Sequence, residues 1–281
     1  GLTSVTIPDS VTEIGDDVFW GCSGLTSITI PDSVTEIGRL AFNGCSGLTS
    51  VTISEGVTEL KAGIFLDCSG LTSVTIPDSV TEIGGRVFGG TGIDEPILIN
   101  AGTILCYVPA DTTSYIIPDT VRSIVGAFSG CSGLTSITIP DSVTEIGDYA
   151  FSICSGLTSM VIPEGVTKIG AGAFGSCTGL KSILIPDSVT SIGYQAFYSC
   201  SGLTSIIIPD GVTAIGEDAF DSCVGLTSVT IPDSMTIIKG RTFGNCSGLT
   251  SVTIPDSVTA IGDYAFGNCS GLTSVTIPRG A

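Results

Sequence analysis

Histidine is absent from the 281 residues of this chain. Its absence removes the commonest general base, the commonest metal ligand and every catalytic triad that depends on histidine. Basic residues are scarce too, since nine Lys and Arg stand against 27 Asp and Glu, for a net charge of −18. Nucleic acids and anionic membranes are bound through clustered Lys and Arg, so this balance argues against both as partners. No apolar run reaches the ~18 residues that a membrane-spanning helix needs.

What the sequence has in abundance is repetition, with a period of 23 residues. Self-similarity at such a period is typical of a solenoid, in which each repeat buries its apolar side against its neighbours. We therefore predict one elongated, mostly β solenoid (α/β class) over 1–281, with repeats over 1–92 and 133–281 and an irregular insertion over 93–132. Because the chain begins and ends inside a repeat, we expect it to be a piece of a longer protein. The repeats begin at Gly1, Gly24, Gly47, Gly70, Gly133, Gly156, Gly179, Gly202, Gly225, Gly248 and Gly271.

A single repeat contains signals for two strands. In Leu134–Pro140 apolar and hydroxyl side chains alternate, as a strand with one buried face requires, and the proline ends that strand. The next two residues, Asp141–Ser142, fit a turn. The pattern of Val143–Ile146 predicts a second, shorter strand. Asp148–Cys154 fit a single helical turn that closes the coil. Stacked coils then predict a long parallel sheet, a shorter opposite sheet and short helical turns.

Phenylalanine and cysteine each recur at a fixed place in the repeat. All 11 phenylalanines, from Phe19 to Phe266, share one position, which favours a buried aromatic spine over a binding stripe. Ten of the 11 cysteines form a second ladder, from Cys22 to Cys269, with Cys106 outside it. Disulfides between neighbouring coils are one interpretation, but each Cys would have two equal neighbours, so we expect buried free thiols. Without histidine or a CxxC pair, no metal and no cofactor is predicted.

Acidic and hydroxyl side chains also form rows. An Asp follows the strand-ending Pro in most repeats, which indicates turn formation and a solvated edge, with divalent cation binding as the alternative. Outward Ser and Thr cover the long sheet, where solvation is a sufficient role and binding of glycans or ice is the alternative. Because no position offers a unique, convergent set of titratable groups, we predict no enzyme activity and no catalytic residue.

One departure from the repeat suggests a partner-binding site. The sixth place of each repeat is usually an outward Thr, but in three successive repeats it is Val161, Leu184 and Ile207. These side chains should lie side by side, with Lys181 next to them as one of the few bases. An exposed apolar patch of this kind marks interaction sites, so these four residues are predicted to bind a partner. The alternative is that Val, Leu and Ile are simply good strand formers and the row has drifted.

The insertion contains a hairpin signal. Two strand-like stretches, Pro96–Ile99 and Thr103–Val108, flank a short loop that contains glycine, Asn100–Gly102. Insertions in solenoids emerge on one face and often carry specificity, so residues 93–113 are the second candidate for a binding site. An irregularity without function is the other interpretation.

The repeat Leu-x-x-Ile-x-Ile-Pro-x-x-Val-x-x-Ile-Gly-x-x-Ala-Phe-x-x-Cys resembles the BspA-like, or Treponema-type, leucine-rich repeat. This resemblance implies a right-handed leucine-rich-repeat solenoid on a secreted or cell-surface protein, and adhesion to host matrix or other cell-surface proteins. A passive stalk that projects another domain is the alternative function. The end coils around Leu2 and Leu272–Ile277 expose open edges, which predicts end-to-end self-association.

Overall fold

A computed structural model describes residues 1–276, and residues 277–281, which include the end of the predicted last strand at Ile277, lie outside the described part of the chain. The chain forms two compact bodies. The first body contains residues 1–110 and 124–127, and the second contains residues 111–123 and the chain from 128 onward. The prediction of one continuous stack over 1–281 therefore stays a prediction, and each body is described by itself.

Short β-strands alternate along both bodies, two to a coil, where the sequence predicted them. In chain order they are β1 (Ser4–Thr6), β2 (Glu13–Ile14), β3 (Ser27–Thr29), β4 (Glu36–Ile37), β5 (Ser50–Thr52), β6 (Glu59–Leu60), β7 (Ser73–Thr75), β8 (Glu82–Ile83), β9 (Ile97–Ile99), β10 (Ile104–Tyr107), β11 (Ser114–Ile116), β12 (Ser123–Ile124), β13 (Ser136–Thr138), β14 (Glu145–Ile146), β15 (Ser159–Val161), β16 (Lys168–Ile169), β17 (Ser182–Leu184), β18 (Ser191–Ile192), β19 (Ser205–Ile207), β20 (Ala214–Ile215), β21 (Ser228–Thr230), β22 (Ile237–Ile238), β23 (Ser251–Thr253), β24 (Ala260–Ile261) and β25 (Ser274–Thr276).

Equivalent strands of successive coils pair in parallel and in register, as in Ser27↔Ser50. The long sheet of the first body has the order β1-β3-β5-β7, and the second body continues this pattern in β11-β13, β15-β17 and β19-β21-β23-β25. Shorter parallel ladders such as β2-β4 and β14-β16-β18-β20 form the opposite side of each coil. Most three-residue strands expose the first and third side chains and bury the second, because successive side chains point to opposite faces. The predicted solenoid with two parallel sheets is confirmed.

The predicted helical turn is wrong, and residues 1–276 contain no helix. Tyr149 and Ile153 have left-handed backbone angles, φ 55° and 64°, which a right-handed helix cannot contain. Their N–H groups donate to the next coil instead, from Tyr149 to Ala171 O at 2.8 Å and from Ile153 to Gly175 O at 2.7 Å. The turn segment thus adds hydrogen bonds between coils. Within the described residues, accordingly, no helix is long and apolar enough to cross a membrane.

The core is the predicted aromatic spine. In the second body consecutive Phe rings from Phe128 to Phe266 are stacked, with centroids 5.1 to 5.5 Å apart. A tyrosine lies edge-on at one end of each spine: Tyr107 against Phe88 at 6.4 Å in the first body, and Tyr115 against Phe128 at 5.5 Å in the second. Repeated stacking of large apolar rings at one spacing fixes the rise from coil to coil.

The cysteine ladder lies beside the spine as hydrogen-bonded thiols. Cys154 Sγ donates to Phe128 O and Cys177 Sγ donates to Phe151 O, both at 3.0 Å. Both cysteines are free and buried. Burial raises the pKa of the Cys177 thiol to about 12, so the thiol is protonated at neutral pH and is a donor rather than a nucleophile. The same thiol-to-carbonyl bond recurs in the first body, from Cys68 to Phe42 O at 3.1 Å.

The predicted hairpin in the insertion is confirmed. Strands β9 and β10 pair antiparallel with the register Ile104↔Ile99. Asn100 and Ala101 both have positive φ, 52° and 53°, and Gly102 N donates to Ile99 O at 3.1 Å, which defines a type I′ turn. Strand β10 is mostly buried, because it packs as a layer of the core with Tyr107 on the spine. Most of β10 is therefore inaccessible to a partner.

Candidate functional site

The three apolar departures from the repeat lie on the outer face of the long sheet of the second body. Val161, Leu184 and Ile207 end strands β15, β17 and β19 and are 70, 59 and 74% exposed. Val161 and Leu184 are register partners on paired strands. Lys181 is also exposed, just before β17, and its backbone O accepts from Thr204 N at 3.4 Å. We call Val161, Leu184 and Ile207 the apolar row.

A fourth apolar side chain, which the sequence analysis missed, belongs to the same position of the repeat. Ile116 ends β11 and is 78% exposed. It is the register partner of Thr138 on β13, so that Thr138 lies between Ile116 and the apolar row. The available signal was the order Ile116-Ile117-Pro118, which puts an isoleucine where other repeats have an outward Thr. The irregular spacing of the insertion concealed this alignment.

A groove opens between β13 and β15, directly beside the apolar row. Within the part of the chain that the structure describes, no ladder joins these two strands, although β11-β13 and β15-β17 are paired. The resulting depression of about 410 Å³ is lined by Thr138 and Val161 and reaches the inward side chains of Ile137 and Met160. It is open to solvent, and its lining, which also includes Thr135, Ser136 and Ser159, is more polar than apolar. We call it the β13–β15 groove.

Carboxylates border this surface along one edge. Glu164 follows Val161 by three residues and Asp187 follows Leu184 by three, and both are exposed. Asp141 also contributes to the lining of the β13–β15 groove. Lys181 lies at the other end of its strand, before Ser182. A partner that covers the apolar row therefore meets a mainly negative rim, which favours a partner with basic groups around an apolar centre.

The other acidic rows do not converge on a metal site. Over residues 1–276 no three His, Cys, Asp or Glu side chains are grouped so that they could hold a metal ion. Some acids pair with lysine in the neighbouring coil, as Glu145 does with Lys168 at 3.1 Å and Glu36 does with Lys61. Others help the turns, since Asp148 Oδ1 accepts from Ala171 N at 2.7 Å. These contacts show a structural role for part of the acidic surface.

Parallel coils with one long and one short strand, wrapped around an aromatic spine, define a leucine-rich-repeat solenoid. The chain matches the BspA type Leucine rich repeat region over residues 1–108, 105–225 and 213–281. It therefore belongs to this family, as the repeat predicted, and such repeats form protein-interaction modules. No curated protein matches the chain.

Solved structures of bacterial proteins are similar to the chain, two of them over almost all of its length. A leucine rich cell surface protein from Faecalibacterium prausnitzii A2-165 is 32% identical, with 98% of this chain and 82% of that chain covered and a TM-score of 0.50. A leucine-rich repeat protein from Eubacterium ventriosum ATCC 27560 is 27% identical, with coverage of 99% and 85% and a TM-score of 0.71. The Leucine Rich Repeat protein of T. pallidum is 27% identical over 64% of this chain and 88% of that chain, with a TM-score of 0.58.

Proposed function

We propose that this chain is a non-enzymatic binding module of a secreted or cell-surface protein, and that it adheres to host matrix or other cell-surface proteins through its long sheet. The observation that carries the proposal is the apolar row, three large side chains that are more than half exposed on a face where most other outward side chains carry hydroxyl groups. Exposed apolar patches on soluble surfaces mark interaction sites. The similarity to a cell surface protein supports the location.

The energetics of the apolar row fit a docking surface. Full burial of a Val, Leu or Ile side chain contributes about 1.5–3 kcal/mol, so three adjacent ones supply a substantial part of a micromolar affinity, which is about 8 kcal/mol. The β13–β15 groove provides an open recess beside the row that can receive a partner side chain. The negative rim adds attraction for a basic partner, and its contribution decreases with salt.

A passive stalk is the second candidate function, and the first body favours it. The sixth places there are Thr6, Thr29, Thr52 and Thr75, an unbroken exposed hydroxyl row with no apolar member. A spacer needs only a solvated, regularly stacked surface of this kind. The two functions are compatible in one chain, with the first body as a spacer and the second body as the binding part.

The test is a loss-of-binding experiment with a transplant control. Binding of the purified chain to immobilised fibronectin, laminin and type IV collagen is measured by biolayer interferometry. We expect at least one of them to bind, and the triple variant Val161→Thr, Leu184→Thr, Ile207→Thr to raise that Kd at least tenfold. The three side chains are exposed, so the melting temperature should barely change.

The transplant control separates a specific site from general stickiness. Thr29→Val, Thr52→Leu and Thr75→Ile are added to the triple variant, which moves the same three side chains to the first body, where neither the β13–β15 groove nor Ile116 is present. We expect this variant to remain defective. Recovery of binding, an unchanged Kd in the triple variant, or no binding of the wild-type chain to any of the three proteins would contradict the proposal.

A further inference from the structure

Three successive coils of the second body carry two depressions on their turn segments, away from the strands of both sheets. The larger, of about 570 Å³, lies between Glu217 and Asp263 with Gly240 at its floor. The smaller, of about 300 Å³, is lined by Asp221 and Asn245. Both volumes are within or close to the range of about 300–1,000 Å³ that small-molecule sites occupy. We call the two depressions together the double groove.

A ridge of two stacked side chains separates the two depressions and contributes to both. The Arg241 guanidinium carbon lies 5.7 Å from the centroid of the Tyr264 ring, a cation–π contact. Both residues have left-handed backbones, with φ 51° and 56°, and both are exposed. Their positions are fixed by hydrogen bonds between coils, since Arg241 N donates to Asp263 O at 2.9 Å. Among residues 1–276 no carboxylate oxygen lies within 4.0 Å of the Arg241 nitrogens.

The middle coil of the double groove carries glycine, Gly240 and Gly244, at two places of the repeat. In the coil that ends at Cys200, the equivalent positions are Tyr194 and Tyr198, which are exposed and fill the surface. Two coils later these positions are Gly240 and Gly244. At Gly244 an added Cβ would lie 2.5 Å from Asp221 Oδ1, so only glycine leaves room for that carboxylate.

The smaller depression contains a chain of pre-oriented planar polar groups. Asp221 is only 6% exposed and accepts hydrogen bonds from Asn245 Nδ2 at 2.8 Å and from Ser222 Oγ at 2.9 Å. Asn245 Oδ1 accepts from Asn268 Nδ2 at 2.9 Å. Buried, fully hydrogen-bonded polar networks hold their members in one geometry. Asn268 is exposed, so its carboxamide oxygen is presented to solvent at the end of a rigid chain.

We propose that the double groove binds a neutral oligosaccharide. Carboxylate, carboxamide and guanidinium groups can each form two parallel hydrogen bonds, which match the vicinal hydroxyl groups of a sugar ring. The exposed Tyr264 ring offers an apolar surface against which the C–H face of a sugar can stack. The carboxylates of the double groove outnumber its one guanidinium group. This charge balance selects against anionic sugars and favours sugar hydroxyl groups, which donate hydrogen bonds to the carboxylates. This site is independent of the apolar row, which lies on the long sheet.

Saturation-transfer difference NMR tests the proposal, because it detects weak binding and reports which ligand protons contact the protein. The probes are cellohexaose, maltohexaose, mannohexaose and chitohexaose, each at millimolar concentration with the full chain. We expect transfer to ring C–H protons of at least one of them. Tyr264→Ala should abolish the signal, whereas Trp20→Ala, which removes an exposed ring of the first body, should leave it unchanged.

A second variant blocks the site without removing any of its polar groups. Gly240→Tyr installs the residue that the chain already has at position 194, and an added Cβ at Gly240 has only Asp263 O near it, at 3.4 Å. The variant should fold, as judged by its melting temperature, and should lose the signal. The polyamine spermidine serves as a fifth probe, for simple attraction to the carboxylates. Retention of binding by Gly240→Tyr, absence of transfer to all four hexaoses, or transfer to spermidine alone would overturn the proposal.

Discussion

The thiol of Cys154 donates a hydrogen bond of 3.0 Å to the main-chain carbonyl of Phe128, in the preceding coil. The same carbonyl also accepts a hydrogen bond from Cys131 N at 3.0 Å, which closes the turn from Phe128 to Cys131. Cysteine at this place is therefore both a small apolar filler next to the spine and a donor that joins two coils. Alanine lacks both the sulfur and the donor, and serine would add a more polar group to an apolar site.

The first prediction concerns this bond. Cys154→Ala removes a buried sulfur and one hydrogen bond, so it should lower the free energy of unfolding by about 1–2 kcal/mol. Cys22→Ala is the matched control, since Cys22 is half-buried and makes no thiol-to-carbonyl bond within the described residues. Urea unfolding followed by circular dichroism gives both values. Equal effects of the two substitutions would show that the bond contributes nothing beyond burial.

The second prediction is a loss of stability at high pH. Burial raises the pKa of the Cys106, Cys177 and Cys246 thiols to about 12. In the unfolded chain the pKa of a cysteine thiol is about 8.5. Between these values the unfolded chain binds fewer protons than the folded chain, so the free energy of unfolding falls as pH rises, by up to about 1.4 kcal/mol per pH unit for each thiol. Below pH 8 these thiols should produce no pH dependence.

Urea unfolding at pH 7, 9 and 10.5 measures this slope, and Cys177→Ala should make it shallower. In the native state at pH 8, a thiol reagent such as DTNB should modify the half-buried Cys22 and Cys269 well before the buried thiols. Rapid modification of Cys177 in the folded protein, or a slope unaffected by Cys177→Ala, would contradict the interpretation of the ladder as protonated donors.

The third prediction concerns a glycine under a tyrosine ring. An added Cβ at Gly172 would lie 2.6 Å from Tyr149 Cε1, and Gly172 also has a φ of +58°. Gly172→Ala should therefore destabilise through both the steric contact and the left-handed backbone, the latter by about 1–2 kcal/mol. In a double-mutant cycle, Tyr149→Ala should recover the steric part only. Full recovery of stability in the double variant, or no recovery at all, would contradict a destabilisation made up of a steric part and a backbone part.

The fourth prediction is a stabilising substitution in the hairpin. Ala101 has φ 53° in the β9–β10 turn, a conformation that costs a non-glycine residue about 1–2 kcal/mol. Ala101→Gly should raise the urea midpoint, because relief of this cost exceeds the extra entropy of the unfolded chain. Ala171→Gly is the control, since Ala171 has no positive φ, and it should be neutral or destabilising. A lowered midpoint for Ala101→Gly would show that the turn differs from type I′.

The sequence was sufficient for the features that repeat. The alternation in Leu134–Pro140 predicted the strands, and the fixed place of phenylalanine predicted the spine. Only one arrangement of the repeats buries all the apolar side chains of such a periodic pattern. The turn segment was mispredicted because Tyr149 and Ile153 adopt left-handed backbone angles that their residue types disfavour. Hydrogen bonds between neighbouring coils offset the conformational cost of these angles.

The candidate surface was only partly predictable, for a different reason. Val161 was recognisable because it replaces threonine at a fixed place. The β13–β15 groove beside it depends on a missing ladder between two strands, and neither the consensus residues of β13 nor Met160 and Val161 in β15 signal that gap. Likewise the double groove follows from Gly240 and Gly244 only when the neighbouring coils are placed beside them.

The central claim, that partners dock on the apolar row, is tested most directly by site-specific photo-crosslinking. The photoreactive residue p-benzoylphenylalanine replaces Leu184 in one variant and Thr52, an outward residue of the first body, in another. Each variant is irradiated with whichever of fibronectin, laminin or type IV collagen binds the wild-type chain. Efficient crosslinking from position 184 and none from position 52 is the predicted result. Crosslinking from position 52 alone, or equally from both positions, would contradict it.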